Sequence, residues 1–426
     1  MLALSLLLGQ TTPPRVDLRN VVVYEANLRA FQPGKPFVEL REELSSIRRL
    51  GANVLWLMPI HPVGQLRSVG QLGSPYAVRD YRGLNPEFGT EADFRSLLAE
   101  AKRLGMRVIL DWVANHTSWD HPWILNPGWH SVDAQGNIII PPGTNWNDVA
   151  ELNYDNAAMR QEMLASMRYW IETYGVDGFR CDHVDGVPDS FWQSAISSLR
   201  TQFADRRLLF LGEASRANLV PSVGFDLLYD WDTFSFLKQI FAGSRSAKDF
   251  VPQARRSTVP RMRFITNHDE SAWNGGLAST SGTAEGAAAA FQAMVFSGGV
   301  PMIYSSQEIG YGAALPFFSA TTLNWAAGAS ARADLTRVMS DFSRLKMPLR
   351  PTLQDASTTR VILYRAQGAA GSIVVAVNSS PDPQPLSIPS TWGVRTPPST
   401  IAGHRALRFM QPNRGQRAEP TEVPGR

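Results

Sequence analysis

Short apolar runs rich in β-branched residues alternate along the chain with longer amphipathic stretches, the arrangement expected of repeated βα units around a parallel sheet. Eight runs stand out: VVVYEANL from Val21, NVLWLMPI from Asn53, RVILDWV from Arg107, GFRCDH from Gly178, LLFLGEA from Leu208, FDLLYDW from Phe225, RFITNHD from Arg263 and VPMIYSS from Val300. Between them lie stretches with helical spacing, such as FVELREELSSIRRLG from Phe37 and EADFRSLLAEAKRLG from Glu91, each closed by a glycine suited to a helix C-terminus. Several runs are apolar almost throughout, as strands covered on both faces are. The predicted fold is therefore α/β, a closed (β/α)8 TIM barrel over residues 14–349.

The spacing breaks once. About 40 residues rich in Trp, Pro, Gly and Asn separate the third run from a helix near Asp155, and a loop that long inside a compact domain usually has a function. This predicts a short irregular insertion over 117–154. Its tryptophans, Trp119, Trp123, Trp129 and Trp146, suit either a groove wall or a small core, and two of the four are expected to serve the core. After Lys346 the texture changes to VILYRA, SIVVAVN and RALRFM, separated by Pro, Ser and Gly, which predicts a small C-terminal antiparallel β-sandwich domain over 350–410. Residues 411–426 have almost nothing to bury and are expected to be disordered. Residues 1–13 read as an export signal, which implies a periplasmic or extracellular protein, with the cytoplasm as the alternative.

Composition narrows the functions. The 426 residues are 44% hydrophobic and 19% charged, ordinary for a folded chain with a sizeable core. A formal net charge of +3 with scattered Lys and Arg excludes nucleic acid as the expected partner. After the N-terminal segment no apolar run reaches about 18 residues, so no membrane span is expected. The single cysteine, Cys181, excludes an internal disulfide and a thiolate metal cluster. Oligomeric state stays open.

In such a barrel the working residues lie where strands run out into the following loops. The third run ends in Asp111, Asn115 and His116, the fourth in Arg180, Asp182 and His183, the fifth in Glu213, and the seventh in Asn267, His268 and Asp269. Carboxylates converging from the fourth, fifth and seventh strands push their pKa values apart, giving one acid and one base. Glycosidic cleavage needs such a pair: a proton donor for the leaving oxygen, and a carboxylate that attacks or stabilises an oxocarbenium-like centre. Arg180 lies two residues before Asp182 on one strand, so both side chains point the same way. A mononuclear metal site built from Asp111, His116, His183 and His268 is the competing reading, although only Asn267 to Asp269 run together.

VILDWVANH (Val108 to His116), GFRCD (Gly178 to Asp182), LGEA (Leu211 to Ala214) and FITNHD (Phe264 to Asp269) resemble, in order, four segments of the α-amylase family of glycoside hydrolases. SPYAVRDYRGLNPEFGT, ELNY and GGVPMIYSSQEIG add agreement, so the resemblance covers roughly residues 20 to 410. It implies a retaining hydrolase that cleaves α-1,4-glucosidic bonds in starch-like glucans or maltooligosaccharides. Asp182 would be the nucleophile, Glu213 the acid/base and Asp269 the stabiliser of the distorted sugar. His116, His268, Tyr76, Arg180, Asp111 and His183 would bind substrate or orient these groups. Transglycosylation, or hydrolysis of cyclodextrins and oligosaccharides, are sister outcomes, and a catalytically inactive carbohydrate-binding barrel is a third class. The chemistry requires no cofactor. Asn115 matches a calcium-ligating Asn of the family, but HVDG after Asp182 and QPGKPFVELREE after the first strand depart from its other calcium motifs, leaving calcium open.

Overall fold

The computed structural model describes residues 15–413. Eight parallel strands close into a barrel: β1 (Val23–Ala26), β2 (Val54–Leu57), β3 (Arg107–Trp112), β4 (Gly178–Cys181), β5 (Leu209–Gly212), β6 (Leu227–Tyr229), β7 (Arg261–Arg263) and β8 (Val300–Tyr304). Each pairs with its sequence neighbours, and β8 returns to β1 with Met302 opposite Val23. Seven of the predicted runs enclose their strands, whereas β7 starts two residues before its run and stops at Arg263. The following residues instead lead into the helix His268–Asn274, where the Asn267 side chain accepts the Glu270 N–H at 2.8 Å.

The helices bury one stripe each. In Pro36–Arg49, Phe37, Leu40, Leu44 and Ile47 face inward at helical spacing, worth about 1.5–3 kcal/mol per large side chain. Glu91–Arg103 starts with a reciprocal cap between Thr90 and Asp93. Gly51 and Gly105 follow these two helices at φ 94° and 68°, the left-handed exit that closes a helix. Gly178 opens β4 at φ 145°, and a Cβ there would sit 1.9 Å from the Leu209 carbonyl oxygen. Only glycine lets β4 approach β5 this closely, four residues before Asp182.

The insertion stands on a two-stranded antiparallel ribbon, His116–Ser118 against Val149–Glu151. Trp123 is buried and Trp129 packs partly buried against it, ring centroids 5.1 Å apart, so these two form the insertion's core. Arg67 covers Trp119 at 3.7 Å, and Trp146 stays exposed.

Beyond the barrel, β9 (Thr352–Asp355), β10 (Val361–Gln367), β11 (Gly371–Asn378) and β12 (Ala406–Pro412) form an antiparallel sheet in that order. Alternation gives it two apolar faces. Ile362, Tyr364, Ile373 and Val375 join the barrel's core, while Val361, Leu363, Val374 and Ala376 pack with Leu386, Trp392 and Ile401 on the other side. The expected boundary at 410 falls inside β12, because Gln411 and Pro412 continue the ladder opposite Ser372 and Gly371. The expected signal at 1–13 and the tail from 414 onward lie outside the described residues. No described helix is long and apolar enough to cross a membrane.

Candidate active site

The strand ends deliver their polar side chains to one mouth. Arg180, fully buried on β4, directs Nη1 to Asp111 Oδ1 at 2.8 Å and to Asp182 Oδ1 at 2.7 Å. Its Nη2 meets Glu213 Oε2 at 2.9 Å as a charge contact, and its Nε donates to the Tyr229 hydroxyl at 3.1 Å. One guanidinium thus touches carboxylates from three strands. Glu213 Oε2 also accepts the His183 backbone N–H at 2.9 Å. That N–H is aimed by a left-handed turn, φ 40° at His183, uncommon for a residue with a side chain. Burial pushes Glu213 above the usual carboxylate range, opposed by Arg180 and reinforced by Asp182.

A second chain of contacts runs from the barrel floor. Glu25 on β1, fully buried, lies 2.5 Å from His268 Nδ1, while His268 Nε2 faces the Tyr76 hydroxyl at 2.7 Å and Asp269 Oδ2 at 3.4 Å. Tyr76 donates onward to Asp111 Oδ2 at 2.9 Å, which also accepts Trp56 Nε1–H at 3.2 Å. Both imidazole nitrogens therefore face acceptors, the environment of a charged histidine. Burial alone would lower His268, but Asp269 and Glu25 outweigh it and raise it to about 9. Burial raises Asp111 to about 7 despite Arg180. Burial, with His183, takes His116 down to about 3, leaving it neutral.

Asp182, Glu213, Asp269, His268, His116, His183 and Tyr76 border one cleft of about 450 Å³. Asp111 and Arg180, expected to contact substrate, instead lie buried beneath its floor, since their side chains turn into the barrel and are taken up by Trp56, Tyr76 and Tyr229. Of the insertion's tryptophans only Trp146 lines the cleft, edge-on to His183 and His116 at 5.2 and 5.6 Å. Asp185, from the HVDG segment, also borders it, as do Trp273, Phe317 and Phe318, none of which was singled out from the sequence. A charged residue inside the apolar run VVVYEANL was the available signal for Glu25; Phe317 and Phe318 lie in an irregular loop and gave none.

Asn115 lies outside the cleft lining. Its Oδ1 faces Gly186, where a Cβ would come within 2.5 Å, and its Nδ2 is 3.3 Å from His116 Nδ1. Calcium takes about six to eight oxygens, with carboxylates among them. Among the described residues no group of three or more Asp, Glu, His or Cys side chains is placed to hold a metal ion. Asn115 therefore has no carboxylate cluster beside it among the described residues, and Asp111, His116, His183 and His268 do not gather as a metal-holding group.

A closed parallel barrel with carboxylates gathered at the C-terminal ends of its strands has its working face where barrel enzymes place their catalytic residues. The sequence matches the family described as Alpha amylase, catalytic domain, over residues 40–132 and 144–207. Alpha-amylase MalA of Haloarcula japonica is 25% identical over 395 residues, covering 87% of this chain and 57% of its own length. The alpha-1,4-glucan:maltose-1-phosphate maltosyltransferase of Rhodospirillum rubrum is 30% identical over 252 residues, covering 53% and 36%. The chain therefore spans little more than half of these curated relatives at most. The crystal structure of a noncanonic maltogenic alpha-amylase, AmyB of Thermotoga neapolitana, superposes with a TM-score of 0.77 at 28% identity, covering 87% of this chain and 88% of that one. These likenesses agree on one family: the chain is similar to alpha-amylases and to related maltosyltransferases.

Proposed function

We propose that this protein is a retaining hydrolase that cleaves α-1,4-glucosidic bonds in starch-like glucans or maltooligosaccharides. The observation that carries the reading is the shared guanidinium: Arg180 holds Asp182 Oδ1 at 2.7 Å and Glu213 Oε2 at 2.9 Å, so two carboxyl groups on adjacent strands face one sugar from the same mouth. Retention requires carboxyls about 5 Å apart, a spacing that sharing one guanidinium favours. Asp182 attacks the anomeric carbon and forms a glycosyl ester as the bond to the leaving oxygen breaks. Glu213, which burial keeps protonated to higher pH than an ordinary carboxyl, gives that oxygen its proton. The resulting carboxylate then takes a proton from water, whose oxygen displaces Asp182 and restores the original anomer. Asp269 faces the oxocarbenium-like centre, while charged His268 and neutral His116 offer hydrogen bonds to sugar hydroxyls.

The maltosyltransferase relatives favour one second reading, in which a sugar hydroxyl replaces water and the product is a longer glucan. Neither route needs a cofactor. If residues 1–13 direct export, the polymer is digested outside the cytoplasm. Product analysis on soluble starch, pullulan and cyclodextrins tests these readings together. The α-anomer formed first, with net release of reducing ends, is the expected result. A β-anomer formed first overturns retention, and longer products without net release of reducing ends favour transfer.

A further inference from the structure

Trp273 is the most conspicuous exposed ring of the cleft, with 59% of its surface open to solvent. It lies one helical turn beyond Asp269 on the helix His268–Asn274. Two phenylalanines from the loop after β8 support it. Phe317 lies 5.4 Å away at 33°, and Phe318 packs edge-on at 5.6 Å. Phe317 in turn stacks on Tyr76 at 5.6 Å and 16°. A continuous file of rings therefore leads from Tyr76, beside the carboxylates, out to an open indole at the rim.

The ledge is fixed in place. Buried Arg29 donates to the carbonyls of Phe317, Gly73 and Leu72 at 3.0, 2.6 and 2.9 Å and is ion-paired to Glu87 at 3.0 Å. The Leu315 N–H donates to Ser271 Oγ at 3.1 Å, tying the loop to the helix just ahead of Phe317 and Trp273. At Gly276 the two segments come so close that a Cβ would lie 2.3 Å from the Ala313 carbonyl oxygen. An exposed Trp held between two supporting rings, with 59% of its surface still open to solvent, is prepared for a flat partner with an apolar face. Glucosyl rings have such faces, and the ledge is continuous with the cleft that would hold one.

We infer that Trp273, supported by Phe317 and Phe318, is a sugar-stacking platform that holds a glucosyl unit of a longer α-glucan outside the reach of the carboxylates. This deepens the proposed function and rests on it for its substrate class. The test compares wild type, Trp273→Phe and Trp273→Ala on maltoheptaose and on an aryl α-maltoside too short to reach the rim. In Trp273→Ala the ratio of kcat/KM for the long chain to that for the short one should fall about tenfold, mainly through KM, as loss of one ring contact implies. Trp273→Phe should retain most of that ratio. Equal loss on both substrates overturns the platform, as does a change of oligomeric state on sedimentation with the ratio unaltered, which would assign the ring to a second copy of the chain. Calorimetric binding of maltoheptaose to Glu213→Gln protein, with and without Trp273→Ala, separates the two levels of inference. Weaker binding in the double variant upholds the platform even if wild type hydrolyses nothing, and equal binding overturns it.

Discussion

Glu25→Gln is a near-isosteric change that removes one charge from beneath the cleft. His268 is held at about 9 against an ordinary value of 6.5, because Asp269 and Glu25 overcome the burial that would lower it. An opposite charge in direct contact shifts a pKa by about 1–3 units, each worth about 1.4 kcal/mol. With Glu25 neutralised, burial is opposed mainly by Asp269, and the histidine should lose its proton in the neutral range. Linkage fixes the sign. The folded value lies above the unfolded one, so the stabilisation, about 3 kcal/mol for this shift, is complete below pH 6.5 and disappears as pH rises through about 9. In the variant that loss moves to lower pH and shrinks. The assay is an NMR titration of ring-labelled histidine, with His268→Gln assigning one signal among the seven histidines, alongside denaturant melts from pH 6 to 9.5. A His268 signal that titrates at the same pH in wild type and variant removes Glu25 from the account. Titration near 6.5 in wild type refutes the whole reading of the network.

Glu213→Gln and Asp182→Asn should each lose about 100-fold to 10,000-fold on starch, and azide should restore turnover of an activated glucoside only in the Glu213 variant. Rescue confined to the Asp182 variant, with the inverted anomer as product, would reverse the two roles. A chelator should move the melting temperature by no more than about 2 °C, since Asn115 has no carboxylate cluster beside it; a fall of about 10 °C, several kcal/mol for a chain of this size, would reveal a calcium site. Gly178→Ala should abolish or severely impair folding, given a Cβ 1.9 Å from the Leu209 carbonyl, and yields of soluble protein and urea melts measure it. Gly34→Ala, also at positive φ but in open space, should cost only about 1–2 kcal/mol.

The barrel was legible because its strands are short apolar runs at regular intervals, and the strand-end rule then pointed to Asp182, Glu213 and Asp269, with strand spacing alone aligning Arg180 with Asp182. What the sequence could not carry was depth. Asp111 carries the same carboxyl group as Asp182, yet Asp111 and Arg180 pair across β3 and β4 one layer below Asp182 and so lie under the floor, a depth that a linear pattern records only once the barrel's registration is known. β7 was misplaced because apolar Phe264 and Ile265 extend the run past Arg263, although the chain there is already turning toward the helix capped by Asn267. The insertion's tryptophans divided between core and surface as burial tendencies suggest, but the rim aromatics of the cleft came from segments more than 40 residues apart, Trp273 and Phe317, which only tertiary contact unites.

The position of Arg180 also shapes how the site can change. Three carboxylates lean on one cation, so none has a private counter-ion. When Asp111, Asp182 or Glu213 is replaced, the guanidinium is left with surplus charge and turns more of its field on the remaining two. Effects of single substitutions should therefore not add, and double-mutant cycles between any two corners should show couplings of about 0.5–3 kcal/mol. A descendant of this chain that exchanged one acidic group would find the other two altered before either had been touched, so substitutions here are expected to accumulate in sets, with residue 180 as the last to go.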